Sequence, residues 1–245
     1  MSKSLVSNNQ IDTEEYNKLS KCKEIFIKRM IENLTSHQAS EIVIDKNTSA
    51  NIVCSIFEMI NSRGQSLTVI DLLNAKCYAY GFMLKSELDE ALSQNEIIRE
   101  FDDGKDSIGL AIVRTIGLLC KKSCKKSDLL NLKADEIKGK WNITVEYIAD
   151  ALKYIRENYG VIEISYFPYK DMTSVIASIK NSNKYKANPN NKYKLDKWYW
   201  NAAFSGYYDN ATESKNSKAL KEFLGTEAEK GWLDDDKRVP EIVKN

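Results

Sequence analysis

Apolar residues recur along most of this chain at three- and four-residue intervals, the period of helices with one buried face. Tyr16, Leu19, Phe26, Met30 and Leu34 follow that spacing. They come after an Asp12/Glu15 pair placed as a capping box, with Ile11 and Tyr16 as its hydrophobic staple. Ile52, Val53, Ile56, Phe57 and Ile60 form a second stripe, capped by Thr48 or Ser49 and stopped at Gly64. Thr68 restarts the chain with Asp71 three residues on, and Leu67 and Leu72 are spaced as a staple. Further helices are expected at about 86–101, 107–121, 144–159 with Gly160 as the stop, 171–182, 195–207 and 217–224.

Two stretches read as extended. Glu41-Ile42-Val43-Ile44-Asp45 is a short apolar run between acids, the pattern of a strand buried on both faces, and 161–167 within "YGVIEISYFPY" is the second. A strand needs neighbours for its N–H and C=O groups, and the chain offers few. Residues 41–45 are therefore expected to pair with another chain, lie at an open edge, or be irregular. Residues 181–194 read as a polar Lys/Asn loop, and a charged, mobile tail is expected from Gly231. The fold class is mainly α, a multi-helix domain with a small β element at about 41–45 and a conditional one at 161–167.

Composition narrows the classes. Hydrophobic residues at 42% and charged residues at 29% describe a globular chain, and Lys+Arg 36 against Asp+Glu 35 leaves a net charge of +1. Any basic surface must then be local. Of the five cysteines, Cys54 and Cys77 sit among apolar residues, and lysines flank Cys120 and Cys124, which disfavours a cation there. The only histidine, His37, lies far from them, so no metal site is assigned. A reduced, cytoplasmic protein is expected, without a signal-peptide-like start or the ~18 consecutive apolar residues of a spanning helix.

Three stretches could carry chemistry. Around the Gly64 corner, Asn61, Arg63 and Gln65 place an amide, a guanidinium and backbone N–H groups near the start of the next helix. That set suits a phosphate or carboxylate; equally, Asn61 caps its own helix and Arg63 is solvated. Residues 180–197 carry Lys180, Lys184, Lys186, Lys192, Lys194 and Lys197 against Asp196 alone, with Tyr185 and Tyr193 interleaved. Such a set suits a nucleic-acid backbone and its bases, or is a solvated loop. Lys121, Lys122, Lys125 and Lys126 repeat the ambiguity. Asp128 with Glu136-Ile137-Lys138 mimics a nuclease Asp…Glu-x-Lys pattern, but in helix and loop rather than on paired strands, and Asp234–Asp236 reads as a solvated run. No complete active site is present.

The stretch "SIFEMINSRGQSLTVIDLLNA" resembles the Phe-x-x-Ile-Asn-x-x-Gly-x-x-Leu segment of the GmrSD-type restriction endonuclease family, through Phe57, Ile60, Asn61, Gly64 and Leu67. Downstream, Trp198, Trp200, Phe204, Ser205 and Tyr208 match that family's Trp-x-Trp…Phe-Ser-x-Arg-Tyr-Ser segment, with Tyr207 where the family has Arg. The resemblance runs from about residue 40 to 224. It implies a ParB/sulfiredoxin-like amino-terminal domain and, in the complete protein, a nucleoside triphosphate with a divalent cation. The family's Asp-Gly-Gln-Gln-Arg motif and its histidine-metal nuclease domain have no counterpart in this sequence.

The expectation is thus a partial or split GmrSD-like anti-phage restriction protein: 1–82 a remnant of the ParB-like domain, 83–230 a helical domain, 231–245 a charged tail. Asn61, Arg63, Gly64 and Gln65 would line one wall of a nucleotide or partner site, and Lys184, Lys186, Lys192, Lys194 and Lys197 would meet DNA. The chain itself holds no cofactor in this reading, and its partner is a missing amino-terminal half, a second chain or itself. The alternative is a non-catalytic helical module that binds protein or nucleic acid.

Overall fold

Helices supply the regular structure among the residues that the computed structural model describes: 12–35, 41, 43–48, 52, 53, 56, 59, 67–120 and 123–235. The chain divides into two units, Met1–Asn47 and Thr48–Asn245. In the first, α1 (Thr13–Phe26) runs on into a π-helical stretch, Ile27–Glu32, and a last turn, Asn33–Thr35. Asp12 is the N-cap residue, but its side chain makes no capping bond, so the expected Asp12/Glu15 box does not form. None of the residues of α1 is buried.

The second unit is organised by two helices whose apolar positions run all the way round, the signature of burial on every side. They are α5 (Ser107–Leu119) and α8 (Met172–Lys180), preceded by α2 (Val69–Tyr78), α3 (Leu84–Gln94) and α4 (Glu96–Glu100). In α5 every residue from Ile108 to Leu118 except Leu110 is buried, and in α8 every residue from Met172 to Ile179. Each fully buried aliphatic side chain contributes about 1.5–3 kcal/mol. Between them come α6 (Lys126–Leu130) and α7 (Ala134–Tyr159), and α7 packs against both α5 and α8. After α8 follow α9 (Asn183–Lys186), α10 (Asn191–Ser205) and α11 (Thr212–Leu224), with α11 laid over α8. Ser174 in α8 donates to the Ala111 carbonyl of α5 at 3.1 Å, so this buried hydroxyl at the crossing is satisfied.

The capping box at Thr68 forms as the sequence predicts: Thr68 N–H donates to Asp71 Oδ2 at 2.9 Å and Asp71 N–H to Thr68 Oγ1 at 3.1 Å. Helix α7 stops at Gly160, whose backbone is left-handed (φ 72°). It starts ten residues earlier than expected, because Ile137, Trp141 and Val145 continue its buried stripe through Gly139 and Asn142. Residues 181–194 are not a plain loop: Ser182 caps α9, accepting from Tyr185 N–H at 3.2 Å, and α10 begins at Asn191.

No strand occurs among the described residues, which corrects the β expectation at 161–167 and leaves 41–45 irregular, one of the three outcomes expected there. Residues 41 and 43–45 have no regular structure, and Val43 is 83% exposed; Ile42 lies outside the described residues. At 161–167 a 3-10 turn, Ile164–Tyr166, buries Ile164 while Tyr166 and Phe167 N–H bond back to Glu163 and Ile164 carbonyls, both at 3.2 Å. Without a partner strand, a local turn is how these groups stay paired.

The segment after α11 is docked rather than free as far as residue 235. Trp232 and Leu233 are buried in a second 3-10 turn, Trp232–Asp234, and residues 225–231 fold back so that Thr226 N–H donates to Glu229 O at 2.8 Å. Gly225 adopts φ 74°, and a Cβ there would stand 2.5 Å from Gly231 N and 2.6 Å from Glu229 O. Gly225→Ala is expected to cost about 1 kcal/mol or more, since left-handed strain and two backbone clashes add, read as a lowered urea midpoint.

Acid should act at defined points. Burial by itself would raise the Asp103 carboxyl, but hydrogen bonds from Lys170 Nζ (2.7 Å), Ser107 Oγ (2.8 Å) and Lys105 N–H (3.1 Å) outweigh it and hold the group at about 2. A depressed carboxylate stabilises the fold above its unfolded value of ~3.9, and that contribution is lost as pH falls through the folded value. Between about pH 4 and pH 2 the urea midpoint of Asp103→Asn should therefore fall less steeply than that of the parent.

Candidate functional site

Asn61, Arg63, Gly64 and Gln65 lie outside the described residues, as do Phe57, Ile60, Lys121 and Lys122. The lysine segment is fully described, and the structure takes it apart. Lys194 is 2% exposed, and its Nζ donates to the carbonyls of Trp232 (2.6 Å) and Asp235 (2.8 Å). Lys184 reaches the Leu224 carbonyl (2.6 Å) and Asp234 Oδ2 (2.7 Å). Lys192 pairs with Asp196 at 2.7 Å, and Lys180 with Asp150 at 2.6 Å. Lys186 is exposed and Lys197 half-buried, and neither makes an ion pair or hydrogen bond among the described residues. Lys184 and Lys194, two of the five expected DNA lysines, thus hold the 224–235 segment; Lys194 is buried, whereas Lys184 stays exposed. Asp234, read as part of a solvated run, accepts from Lys184 and from Gly231 N–H at 2.9 Å.

Asp196 is the centre of a polar network between α7 and α10. Its Oδ1 accepts from Tyr154 OH (2.6 Å) and Tyr159 OH (2.9 Å), and its Oδ2 from Lys192. Burial, then the Asp196 carboxylate, pushes the Tyr154 hydroxyl well above its ordinary range; Tyr159 rises through burial, with Tyr154 and Asp196 beside it. Both phenols stay protonated and act as donors. Lys180 and Lys192 stand over the Tyr154 ring at 5.3 and 5.4 Å.

The motif residues divide by burial. Trp198 and Tyr208 are each 1% exposed, meet edge-on at 6.2 Å, and Trp198 also meets Phe223 at 5.7 Å. Trp200 and Phe204 instead emerge on the surface. Ser205 Oγ accepts from Tyr207 N–H at 3.1 Å. The Tyr207 ring carries Lys215 Nζ at 4.6 Å, and the same ammonium bonds the Tyr207 carbonyl.

A second buried cluster joins α5, α8 and α11. Arg114, 8% exposed, pairs with Asp171 and lies 3.4 Å from Glu213. Asp171 also accepts from Thr212 Oγ1 at 2.9 Å, and its carbonyl from Asn216 Nδ2 at 2.9 Å. Cys124 is buried beside this cluster, and burial pushes its thiol up to about 12, so it is a packed thiol and not a nucleophile at neutral pH. The Asp128/Glu136 pattern also dissolves: Asp128 accepts from Ser123 Oγ, and Glu136 caps α7 by accepting from Lys133 N–H at 2.7 Å. Among the described residues no group of three His, Cys, Asp or Glu could hold a metal ion, and no helix is long and apolar enough to cross a membrane.

Two of the grooves lined by described residues differ in charge. One of about 460 Å³ is lined by Glu87, Glu90 and Glu146 over Ala91, Trp141 and Val145, and its acids oppose phosphate. The other, about 740 Å³, is mainly apolar, with Leu118, Leu220 and Leu224 beside Lys184 and Lys221.

The role of Lys194 is directly testable. Replacing it by Met leaves the buried Trp232 carbonyl and the partly buried Asp235 carbonyl without this charged donor, so Lys194→Met is expected to lower stability by about 1–3 kcal/mol. Urea denaturation checks this, and the salt dependence of any DNA binding should not change.

No family model matches this chain, and no solved structure matches it. The chain is 28% identical over 207 residues to an uncharacterised protein of Methanocaldococcus jannaschii, an alignment covering 81% of this chain and 34% of that protein. It therefore spans about a third of the length of the archaeal relative it matches.

Proposed function

We propose that this chain is the helical portion of a GmrSD-like anti-phage restriction protein acting in the cytoplasm, with phosphodiester chemistry supplied elsewhere. The observation that carries the reading is the downstream motif: Trp198 and Tyr208, ten residues apart, meet in one core with Phe223, so the matched segment is a folded unit. An archaeal relative of which the alignment covers 34% agrees with a chain that works as part of something larger. In this reading Asn61, Arg63, Gly64 and Gln65 form one wall of a nucleotide pocket completed by a missing amino-terminal half, a separate chain or a second copy. A nucleoside triphosphate and a divalent cation belong to the complete protein, and no step is assigned to them here. A non-catalytic module that binds protein or nucleic acid is the second reading, favoured by the exposed aromatics of α10.

Mixing decides between them. The chain alone should neither hydrolyse nucleoside triphosphate nor cut DNA. Nucleotide-dependent cleavage should emerge when it is combined with a chain carrying the Asp-Gly-Gln-Gln-Arg segment, and Asn61→Ala should abolish it. Cleavage by the isolated chain would overturn the proposal, and silence of the mixture would leave the binding-module reading.

A further inference from the structure

The lysine-and-aromatic chemistry expected along 180–197 is assembled instead on one face of α10. Tyr193, Lys197, Trp200 and Phe204 are spaced four, three and four residues apart and so share one stripe of the helix. Tyr193 is 62%, Trp200 41% and Phe204 82% exposed. The Trp200 and Phe204 rings lie nearly parallel, 12° apart with centroids at 5.7 Å. Trp200 is fixed from beneath by edge contacts to Tyr159 (5.7 Å) and Tyr199 (5.0 Å), two rings that stack on each other at 3.7 Å. The stripe contains one cation, Lys197, and no acid. The adjoining carboxylate, Asp196, is already engaged by Tyr154, Tyr159 and Lys192.

We infer that this stripe is a stacking platform for an unpaired DNA strand: Phe204 and Tyr193 offer open ring faces to bases, and Lys197 between them meets phosphate. Every base has a π-face, so such a platform tolerates any sequence. A protein partner would also cover aromatic rings, but the stripe has no aliphatic side chain, and its charge is complementary to a phosphate backbone. The choice of DNA over RNA rests on the restriction reading; the stacking geometry does not.

The protein carries its own reporter, because Trp141, Trp198 and Trp232 are buried and Trp200 is the exposed member of the four tryptophans. Titrating the full chain with oligothymidylate is expected to quench Trp200 emission. Fluorescence anisotropy should show binding weakened about tenfold in Phe204→Ala, whose melting temperature stays that of the parent. Lys197→Gln should flatten the salt dependence by about 0.7 in slope, the loss of one single-strand phosphate contact. Trp200→Phe should bind while losing the quench. Affinity unchanged in Phe204→Ala overturns the inference. So does a dimer in sedimentation velocity that Phe204→Ala dissociates, which would make the stripe a protein contact. Equal or tighter binding of oligouridylate overturns the DNA assignment. Oligothymidylate quenching without cleavage in the mixture would leave the platform standing and remove the restriction reading alone.

Discussion

The ion pair between Arg114 and Asp171 is the contact on which the helical unit turns. A guanidinium 8% exposed in an otherwise apolar helix is tolerable only if its partners are delivered to it, because an unpaired buried charge costs several kcal/mol. Asp171 comes from the residue before α8, and Glu213 from the first turn of α11. Thr212 and Asn216 hold Asp171 in place from the same helix. Two elements, α8 and α11, are thereby pinned to α5 in one orientation. The left-handed backbone of Ala211, unusual outside glycine, persists at the entry to α11 where Thr212 is so held.

Trp198 fills the space against Phe223, and Phe223 in turn meets Trp232 at 4.9 Å. Lys194 and Lys184 complete that layer by satisfying backbone carbonyls at 224, 232 and 235. A lysine can do this because its ammonium is a compact three-donor group at the end of an apolar stem that packs as it goes.

Burying one side of α10 exposes the other. Trp198 and Tyr199 turn inward, and Tyr193, Trp200 and Phe204 are left on the surface. The acidic groove along Glu87, Glu90 and Glu146 is a separate feature whose charge disfavours phosphate. The aromatic face of α10 is thus the surface to which the proposed nucleic-acid contact is assigned.

Local signals were legible in the sequence by itself. The Thr68/Asp71 box, the Gly160 stop and the mainly α fold follow from short-range hydrogen bonding and a 3.6-residue period, neither of which needs a distant partner. The spacing of Tyr193, Lys197, Trp200 and Phe204 was there to be read as well, but not which of the neighbouring aromatics would be buried. That depended on α7 and α11, whose contacts come from residues far along the chain. The partners of Lys184 and Lys194 were not legible for the same reason: composition counts charges, whereas only tertiary packing brings the carbonyls of 224–235 within their reach. The expected strand at 161–167 became a turn because pairing is a property of two segments, and extended propensity in one cannot supply the other.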